Sequence, residues 1–323
     1  MAIGGMSMIH TGEFFVMLDK DNDKEVLETM RKIEVYKTKE VRAVCRTTTI
    51  NKYKIIRLHI YVDFIELLGR PNITPIDTDE ILYRVRSIVQ DIIDTNDFEL
   101  ILSRLDFRHD IVIKDKKKRQ LIISLLKKSS KKVSYMKRVD KYKDSVWYFS
   151  KSRGDNIYDK EIECLAKGKK VKWFEKDVLR FEAQIKNEHI RYKNNRYEVK
   201  RSLEEYLNYD MYKAYMTKMV IGVVGKGNFY SLIEAEKIIK SSCVKEKDKI
   251  ELRKFLVYTS RNGGLSKAKE FYGRYSFNKN INILEELGIN PIIIPERNGV
   301  RKTGIKFIEN PLKKLIEQFE VSN

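Results

Sequence analysis

Cysteine and proline are scarce in this chain of 323 residues. The three cysteines, Cys45, Cys164 and Cys243, stand far apart and form no CxxC pair. This spacing argues against a structural zinc site and against a disulfide framework, and it fits a reducing cytoplasm. Five prolines, fifteen glycines and no low-complexity tract argue against long flexible linkers.

Long apolar runs are also missing. No stretch of about 18 apolar residues occurs, so we expect no membrane span. The N-terminal residues do not form a basic segment followed by an apolar one, so we expect no signal peptide. Both absences favour a cytoplasmic protein.

Positive charge, by contrast, is abundant. The formal net charge is +19, and 34% of the residues are charged. A charge of this size favours a polyanionic partner, with nucleic acid as the first candidate and a lysine-rich proteome as the alternative explanation. The apolar content of 42% is enough for one large or two medium domains.

Hydrophobic periodicity predicts an α+β fold with a largely antiparallel sheet of five or more strands and flanking helices. Strands are expected at residues 13–18, 41–51, 55–64, 100–113 and 178–186, and helices at residues 24–33, 79–92 and 203–220. The segment 55–64 alternates, which places Leu58, Ile60 and Val62 on one face and His59, Tyr61 and Asp63 on the other.

The segment 146–160, VWYFSKSRGDNIYDK, is predicted to be a β-hairpin with its turn at residues 152–156. Its returning strand would present Tyr158, and Lys160 two residues later would face the same side. A tyrosine beside a cation on β structure suggests attack on a phosphodiester, because the cation favours the phenolate. A half-buried tyrosine on a surface hairpin is the alternative. Tyr148 is a rival nucleophile, although its place beside Trp147 suggests packing.

Charged residues alternate along the strand SRLDFRHDIVI, where Asp106, Arg108 and Asp110 share one face. Glu182 lies on the polar face of the strand 178–186. If the two strands pair, Asp106 and Glu182 converge, and carboxylate oxygens suit Mg²⁺ or Mn²⁺. Ordinary solvated charges on two sheet faces are the alternative.

Two histidines are candidate metal ligands. His59 lies on the polar face of its strand. His109 lies on the apolar face, where a core imidazole is the simpler interpretation, and a bulge near Arg108 would turn it toward the carboxylates. His10 and His189 have no clear sequence context.

The chain changes character after about residue 225, where helical periodicity takes over. We predict a first domain at residues 1–222 and a C-terminal helical domain at residues 223–323. A helix at 265–272, a turn at Gly273 and a helix at 276–287 resemble a helix-turn-helix, with a wing at 291–299. The second helix carries four side chains suited to base edges and phosphates: Asn278, Lys279, Asn280 and Asn282. An ordinary helical hairpin is the alternative.

The ordered motifs RLDxxxD at 104–110, WYFxxxRxxxIYDK at 147–160 and LRFExQ at 179–184 resemble rolling-circle replication initiators of phages and plasmids, the gene II/X-type group. The tail segments GKGNFYSLIEAEKII and FNKNINILEELGINPIIIPERNG are similar to that group as well. This resemblance implies a nicking and strand-joining enzyme with a divalent metal and a nucleophilic tyrosine.

Residue by residue, the resemblance assigns the nucleophile to Tyr158, the following lysine to Lys160, and metal ligands to Asp106 and Glu182. This chain departs from related superfamilies because it lacks a strand with the pattern His-hydrophobic-His. Ligation would therefore be rich in carboxylates, with Asp110, His59 or His109 as further ligands. Contacts to DNA are expected from Arg104, Arg108, Arg153 and Arg180.

Two other functions remain open. A mobilisation relaxase or single-strand transposase would use similar chemistry, and a non-catalytic, sequence-specific repressor would bind DNA without cutting it. The partners expected are a duplex origin and a single-stranded nick site. A host helicase and a second copy of the chain are further candidates, and a membrane is not expected.

Overall fold

The computed structural model describes residues 7–18, 28–29, 32–33, 38–50, 53–129, 138–262, 264–295 and 304–321. It confirms the α+β class: a large antiparallel sheet carries flanking helices. Eight strands form this sheet, in the order β2-β3-β1-β4-β8-β7-β6-β5. They are β1 (Ile9–Leu18), β2 (Val41–Ile50), β3 (Tyr53–Asp63), β4 (Ile101–Val112), β5 (Arg138–Tyr142), β6 (Ser145–Phe149), β7 (Arg153–Asp159) and β8 (Val178–Lys186).

The described helices follow or separate these strands. They are α1 (Phe64–Leu68), α2 (Thr78–Ile93), α3 (Lys116–Leu126), α4 (Lys160–Ala166), α5 (Asn187–Tyr197), α6 (Leu203–Tyr206), α7 (Tyr209–Tyr215), α8 (Gly222–Val224), α9 (Leu232–Ser241), α10 (Glu246–Arg261), α11 (Leu265–Glu286) and α12 (Lys313–Val321). A 3-10 turn (Pro75–Asp77) precedes α2, and a π-helical stretch (Met216–Ile221) joins α7 to α8. Of the helix expected at 24–33, only residues 28–29 and 32–33 lie within the described part.

The alternation predicted for β3 is confirmed. Leu58, Ile60 and Val62 are at most 2% exposed. On the neighbouring β1, Phe14 pairs with Ile60 and Val16 pairs with Leu58. Burial of each such side chain contributes about 1.5–3 kcal/mol, so one face of these strands forms core and the other remains polar.

The hairpin forms, but it ends differently from the prediction. β7 stops at Asp159, whose carboxylate accepts a hydrogen bond from the backbone N–H of Ile162 and so caps α4. Lys160 is therefore the first residue of a helix and does not continue the strand. The argument that strand alternation places Lys160 on the same side as Tyr158 was wrong, because the capping aspartate turns the chain.

The single helix expected at residues 203–220 is also broken. Asn208 lies between α6 and α7, and its side chain accepts a hydrogen bond of 2.9 Å from the N–H of Met211. An asparagine in this position starts a new helix rather than continuing the old one.

The described residues group into two compact units. The first consists of Met1–Asp110, Tyr148–Asn156 and Arg180–Met216, and the second of Ile111–Trp147, Ile157–Leu179 and Thr217–Asn323. The boundary expected at residue 222 lies near Thr217, where the last segment of the second unit begins. The second unit also takes in two earlier segments that the sequence had assigned to the first domain.

The C-terminal part of the second unit contains α9 to α12. Gly273 has a φ of 69° inside α11, which produces the predicted break between two helical segments. The tail is not purely helical, because β9 (Phe229–Tyr230) pairs with β10 (Phe307–Ile308). Of the predicted wing, residues 296–299 lie outside the described part. None of the described helices combines the length and the apolar character needed to cross a membrane.

Candidate functional site

A β-bulge at the start of β1 brings an unpredicted histidine to the polar face of the first unit. Ile9 pairs with Phe107 and Thr11 pairs with Asp106. Phe107 and Asp106 are adjacent on β4, so His10 is an extra residue of β1 without a partner in this ladder. Such a bulge re-aims the inserted side chain. The Nε2 atom of His10 lies 3.2 Å from a carboxylate oxygen of Glu182 on β8. No local sequence pattern signals a bulge, which is why sequence analysis gave His10 no role.

Asp106 is the most enclosed carboxylate of the polar face, at 1% exposure. Arg104 donates to both of its oxygens at 2.8 Å, and the hydroxyl of Thr11 donates to Oδ2 at 2.7 Å. Burial alone would lower the pKa of Arg104, but Asp106 and Glu13 raise it above its ordinary value. Arg104 therefore stays charged and holds the Asp106 side chain in place through a two-point contact.

Glu182 is also buried, at 3% exposure. Besides His10, it contacts Asn156 of β7, whose amide donates to Oε2 at 3.3 Å. Asp106 and Glu182 thus reach two adjacent residues of β1, Thr11 and His10.

Asp110 lies between two arginines. Arg180 donates to its two oxygens at 2.7 and 2.8 Å, and Arg108 approaches to 3.4 Å. Burial would raise the pKa of Asp110, but Arg180 and Arg108 lower it below the ordinary value. Arg108 also donates to Ser7 and to the carbonyl of Pro71. Both arginines are 1% exposed, so the expectation that Arg108 and Arg180 contact DNA does not fit their positions.

His109 and His59 lie in different surroundings. His109 lies on β4, and its Nδ1 is 3.4 Å from the hydroxyl of Tyr212, whose ring packs edge-on against Phe107. Burial lowers the pKa of His109 to about 4. A bulge near Arg108 was the condition under which His109 would turn toward the carboxylates, whereas the bulge at this end of the β1–β4 ladder lies at His10. His109 stays half-buried beside Tyr212.

His59 lies on the polar face of β3, as predicted, against the ring of Phe15 at 5.9 Å between centroids. Burial, followed by the charges of Arg46 and Arg57, lowers the pKa of His59 to about 4. The imidazole is therefore neutral at physiological pH and takes up a proton only in acid.

These side chains do not form a ready metal cage. In the described ranges, no group of three or more His, Cys, Asp or Glu side chains is arranged to hold an ion. Asp106 and Asp110 accept from arginines, and Glu182 contacts His10 and Asn156. A cation ligated here would have to displace one of these contacts, so the geometry as it stands does not fit the predicted ion.

In the second unit, the end of β7 is anchored by a buried arginine. Arg119 of α3 donates to Asp159 at 2.7 Å, to Asp177 at 2.8 Å and to Glu161 at 2.9 Å. Its side chain is 1% exposed. Asp159 follows Tyr158 directly, so this cluster fixes the backbone next to the predicted nucleophile.

The predicted catalytic pair differs from expectation. Tyr158 is 8% exposed, and Tyr148 is fully buried. Lys160 donates to Glu163 at 2.8 Å and lies 3.5 Å from Glu175. The ammonium group of Lys160 thus interacts with the carboxylates of Glu163 and Glu175.

The other residues predicted to contact DNA differ in their exposure to solvent. Asn278, Lys279 and Asn282 are exposed on α11, and Lys279 pairs with Asp248 at 2.6 Å. Asn280 is 2% exposed because it shares the inward face of the helix with Phe277, which contradicts its expected contact with base edges. Arg153, in the first unit, donates to the ring nitrogen Nδ1 of His189 at 3.3 Å.

Comparison with known proteins gives no family. No family model matches the chain, and no curated protein matches it. Among solved structures, it is similar to the class II 3-hydroxy-3-methylglutaryl-CoA reductase from Streptococcus pneumoniae bound to NADPH, with 9% identity over 87% of this chain and 76% of that chain. The TM-score of 0.20 is too low to carry an argument about fold or function.

Proposed function

We propose that this protein nicks one strand of DNA and later rejoins it, as an initiator of rolling-circle replication. In this proposal the phenol oxygen of Tyr158 attacks a backbone phosphorus and loses its proton. One phosphorus–oxygen bond to the sugar breaks, one strand end leaves as a hydroxyl, and the other stays bound as a phosphotyrosine ester. Attack of a strand hydroxyl on that ester reverses the step and joins the ends.

The observation that carries the proposal is the placement of the three motifs. They lie on β4, β8 and the β6–β7 hairpin, and these strands are neighbours in the order β4-β8-β7-β6. Segments far apart in the sequence thus occupy consecutive strands of one sheet. The net charge of +19 supports a nucleic-acid substrate.

The anchoring of Asp159 supports the role of Tyr158. Its carboxylate both caps α4 and accepts from Arg119. A nucleophile next to a fixed backbone position loses little conformational freedom on reaching its target, which favours the in-line attack.

Mg²⁺ or Mn²⁺ is part of the proposal through the resemblance, with Glu182 and Asp106 as the ligands that the motif implies. Because both carboxylates already have protein partners, we assign the ion no step in the reaction. Its involvement is tested directly: EDTA should stop nicking, and Glu182→Gln should need more Mn²⁺ than the unaltered protein does.

Covalent trapping on a labelled single-stranded oligonucleotide tests the nucleophile. The unaltered chain and Tyr148→Phe should form an adduct that survives denaturing electrophoresis, whereas Tyr158→Phe should form none. Tyr148 is a matched control because it is the other tyrosine of the same hairpin. An adduct with Tyr158→Phe would exclude the assignment. Duplex binding without any adduct in the unaltered chain would favour the non-catalytic repressor.

A further inference from the structure

Three arginines of β2 and β3 share the polar face of the first unit. Arg46 pairs in register with Arg57, and Arg42 pairs with Tyr61. Residues paired across antiparallel strands project to the same side, so all three guanidinium groups lie on the face of His59. We call Arg42, Arg46 and Arg57 the outer-strand arginine cluster.

The cluster has no countercharge in the part of the chain that the structure describes. In the described ranges, no carboxylate lies within ion-pair distance of any of its three members, whereas Arg104 on β4 has two such partners. The Nε atom of Arg57 is buried and has no hydrogen-bond partner among the described residues. Close positive charges repel one another, so an anion bound here would relieve an unfavourable interaction that the protein alone leaves in place.

Aromatic rings hold the guanidinium groups in position. Arg42 lies over the ring of Tyr61 at 4.6 Å, and Arg46 lies over it at 5.9 Å and donates to its hydroxyl. Arg57 lies over the ring of Phe15 at 5.0 Å. Stacked arginines are pre-organised and weakly hydrated, which suits them to phosphate groups and to the faces of bases.

Open space adjoins the cluster on both sides. A cleft of about 280 Å³ is lined by Arg46, Arg57, His59 and Lys186, and also by Arg104 and Glu13. A second cleft of about 330 Å³ is lined by Arg42 and Tyr61, but it also contains the carboxylates of Glu13, Glu40 and Asp63. The lowered pKa of His59 reflects burial together with the charges of Arg46 and Arg57, so the first cleft carries an excess of positive charge without the imidazole being charged.

We propose that the outer-strand arginine cluster binds single-stranded nucleic acid, with the guanidinium groups contacting phosphates and unpaired bases stacking on the arginine–aromatic pairs. A single strand fits better than a duplex because only unpaired bases offer their faces for stacking. The inference rests on the proposed function for the choice of DNA over RNA. In that function, the cluster would bind the DNA strand and Tyr158 would attack it.

The test uses the full chain carrying Tyr158→Phe, so that covalent capture does not contribute. Binding of a labelled oligothymidylate of about 15 nucleotides is followed by fluorescence anisotropy at several salt concentrations. Adding Arg46→Gln and Arg57→Gln should weaken binding about tenfold or more and should lower the salt slope by about 1.4. The matched control adds Arg84→Gln and Arg86→Gln on α2, which removes the same charge and should change affinity less than about twofold.

Equal losses in the two pairs would overturn the proposal, because they would show an effect of net charge alone. An equal loss on duplex DNA would also overturn it. Arg46→Gln alone, at an exposed position, should show about half the change in salt slope, and no change would count against the cluster. If the unaltered chain forms no covalent adduct while the cluster variant still loses single-strand affinity, the nicking proposal fails and this one stands.

Discussion

Each unit contains a cluster of charged side chains with low exposure. The central residue is an acid in one cluster and a base in the other. In the first unit, the carboxylate of Asp110 lies between Arg108 and Arg180. In the second, the guanidinium of Arg119 lies among three carboxylates, those of Asp159, Glu161 and Asp177. Both join separate segments of the chain, yet one has an excess of positive charge and the other an excess of negative charge.

The comparison shows which residue each cluster depends on. Loss of a central group leaves like charges facing one another, and the penalty grows with their number and burial. Arg119 also donates to the carbonyl of Ile113, so four acceptors rely on it. Asp110 is 22% exposed, so water could replace part of the hydrogen bonding that it supplies to Arg108 and Arg180. We therefore expect the second cluster to be the more sensitive.

The largest effect should follow from Arg119→Gln. Three carboxylates would lose their common partner, and Asp159 is fully enclosed. The free energy of unfolding at neutral pH should fall by about 3–5 kcal/mol, measured by urea denaturation. The control is Arg84→Gln, an arginine paired with Glu80 on the surface of α2, which should cost at most about 1 kcal/mol. Equal costs for the two variants would contradict the comparison.

Asp110→Asn should have a smaller effect on stability. The amide keeps the shape of the side chain but cannot balance Arg108 and Arg180. We expect a loss of about 1.5–3 kcal/mol in the free energy of unfolding at neutral pH, again measured with urea. A cost greater than that of Arg119→Gln would reverse the ranking of the two clusters.

The same aspartate predicts a pH dependence. The pKa of Asp110 is lowered in the folded protein. Its contribution to the free energy of unfolding is therefore fully present above the ordinary aspartate pKa of about 4, and it is lost as the pH falls below that value toward the folded pKa. The stability gap between the unaltered chain and Asp110→Asn should therefore narrow between about pH 6 and about pH 3.5. Urea denaturation at both pH values measures this gap, and a constant gap would show that the charge of Asp110 is not what stabilises the fold.

The smallest effect on stability should come from Lys279→Ala, since this exposed lysine pairs only at the surface with Asp248. Its unfolding curve should match that of the unaltered chain. If α11 contacts a duplex, however, removing one lysine–phosphate interaction should lower the salt slope of duplex binding by about 0.9. Asn278→Ala is the neighbouring control without charge, and an unchanged slope for Lys279→Ala would remove α11 from the interface.

Much of the sheet could be predicted because strand periodicity is a local property. The alternation of Leu58, Ile60 and Val62 is visible in the sequence and requires no knowledge of the partner strands. The break at Gly273 is similarly local, because glycine adopts a left-handed conformation without a steric penalty.

The candidate site was harder to predict because its details depend on long-range pairing. Arg108 and Arg180 look like DNA contacts until Asp110 is placed between them. Asn280 looks exposed until the inward face of α11 is known. The grouping of early and late segments in the second unit depends on long-range contacts as well: Ser129 donates to the carbonyl of Val223 at 2.6 Å, which ties the tail to a segment much earlier in the chain.

The extra residue at His10 has a consequence for aligning this chain with others. Ile9 pairs with Phe107 and Thr11 pairs with Asp106, so a chain without residue 10 would keep both pairings and would need no shift of register. Ser7 would still accept hydrogen bonds from Arg108. A one-residue gap in an alignment here therefore marks a single change, the loss of the imidazole beside Glu182, and the chain on either side of the gap aligns unchanged.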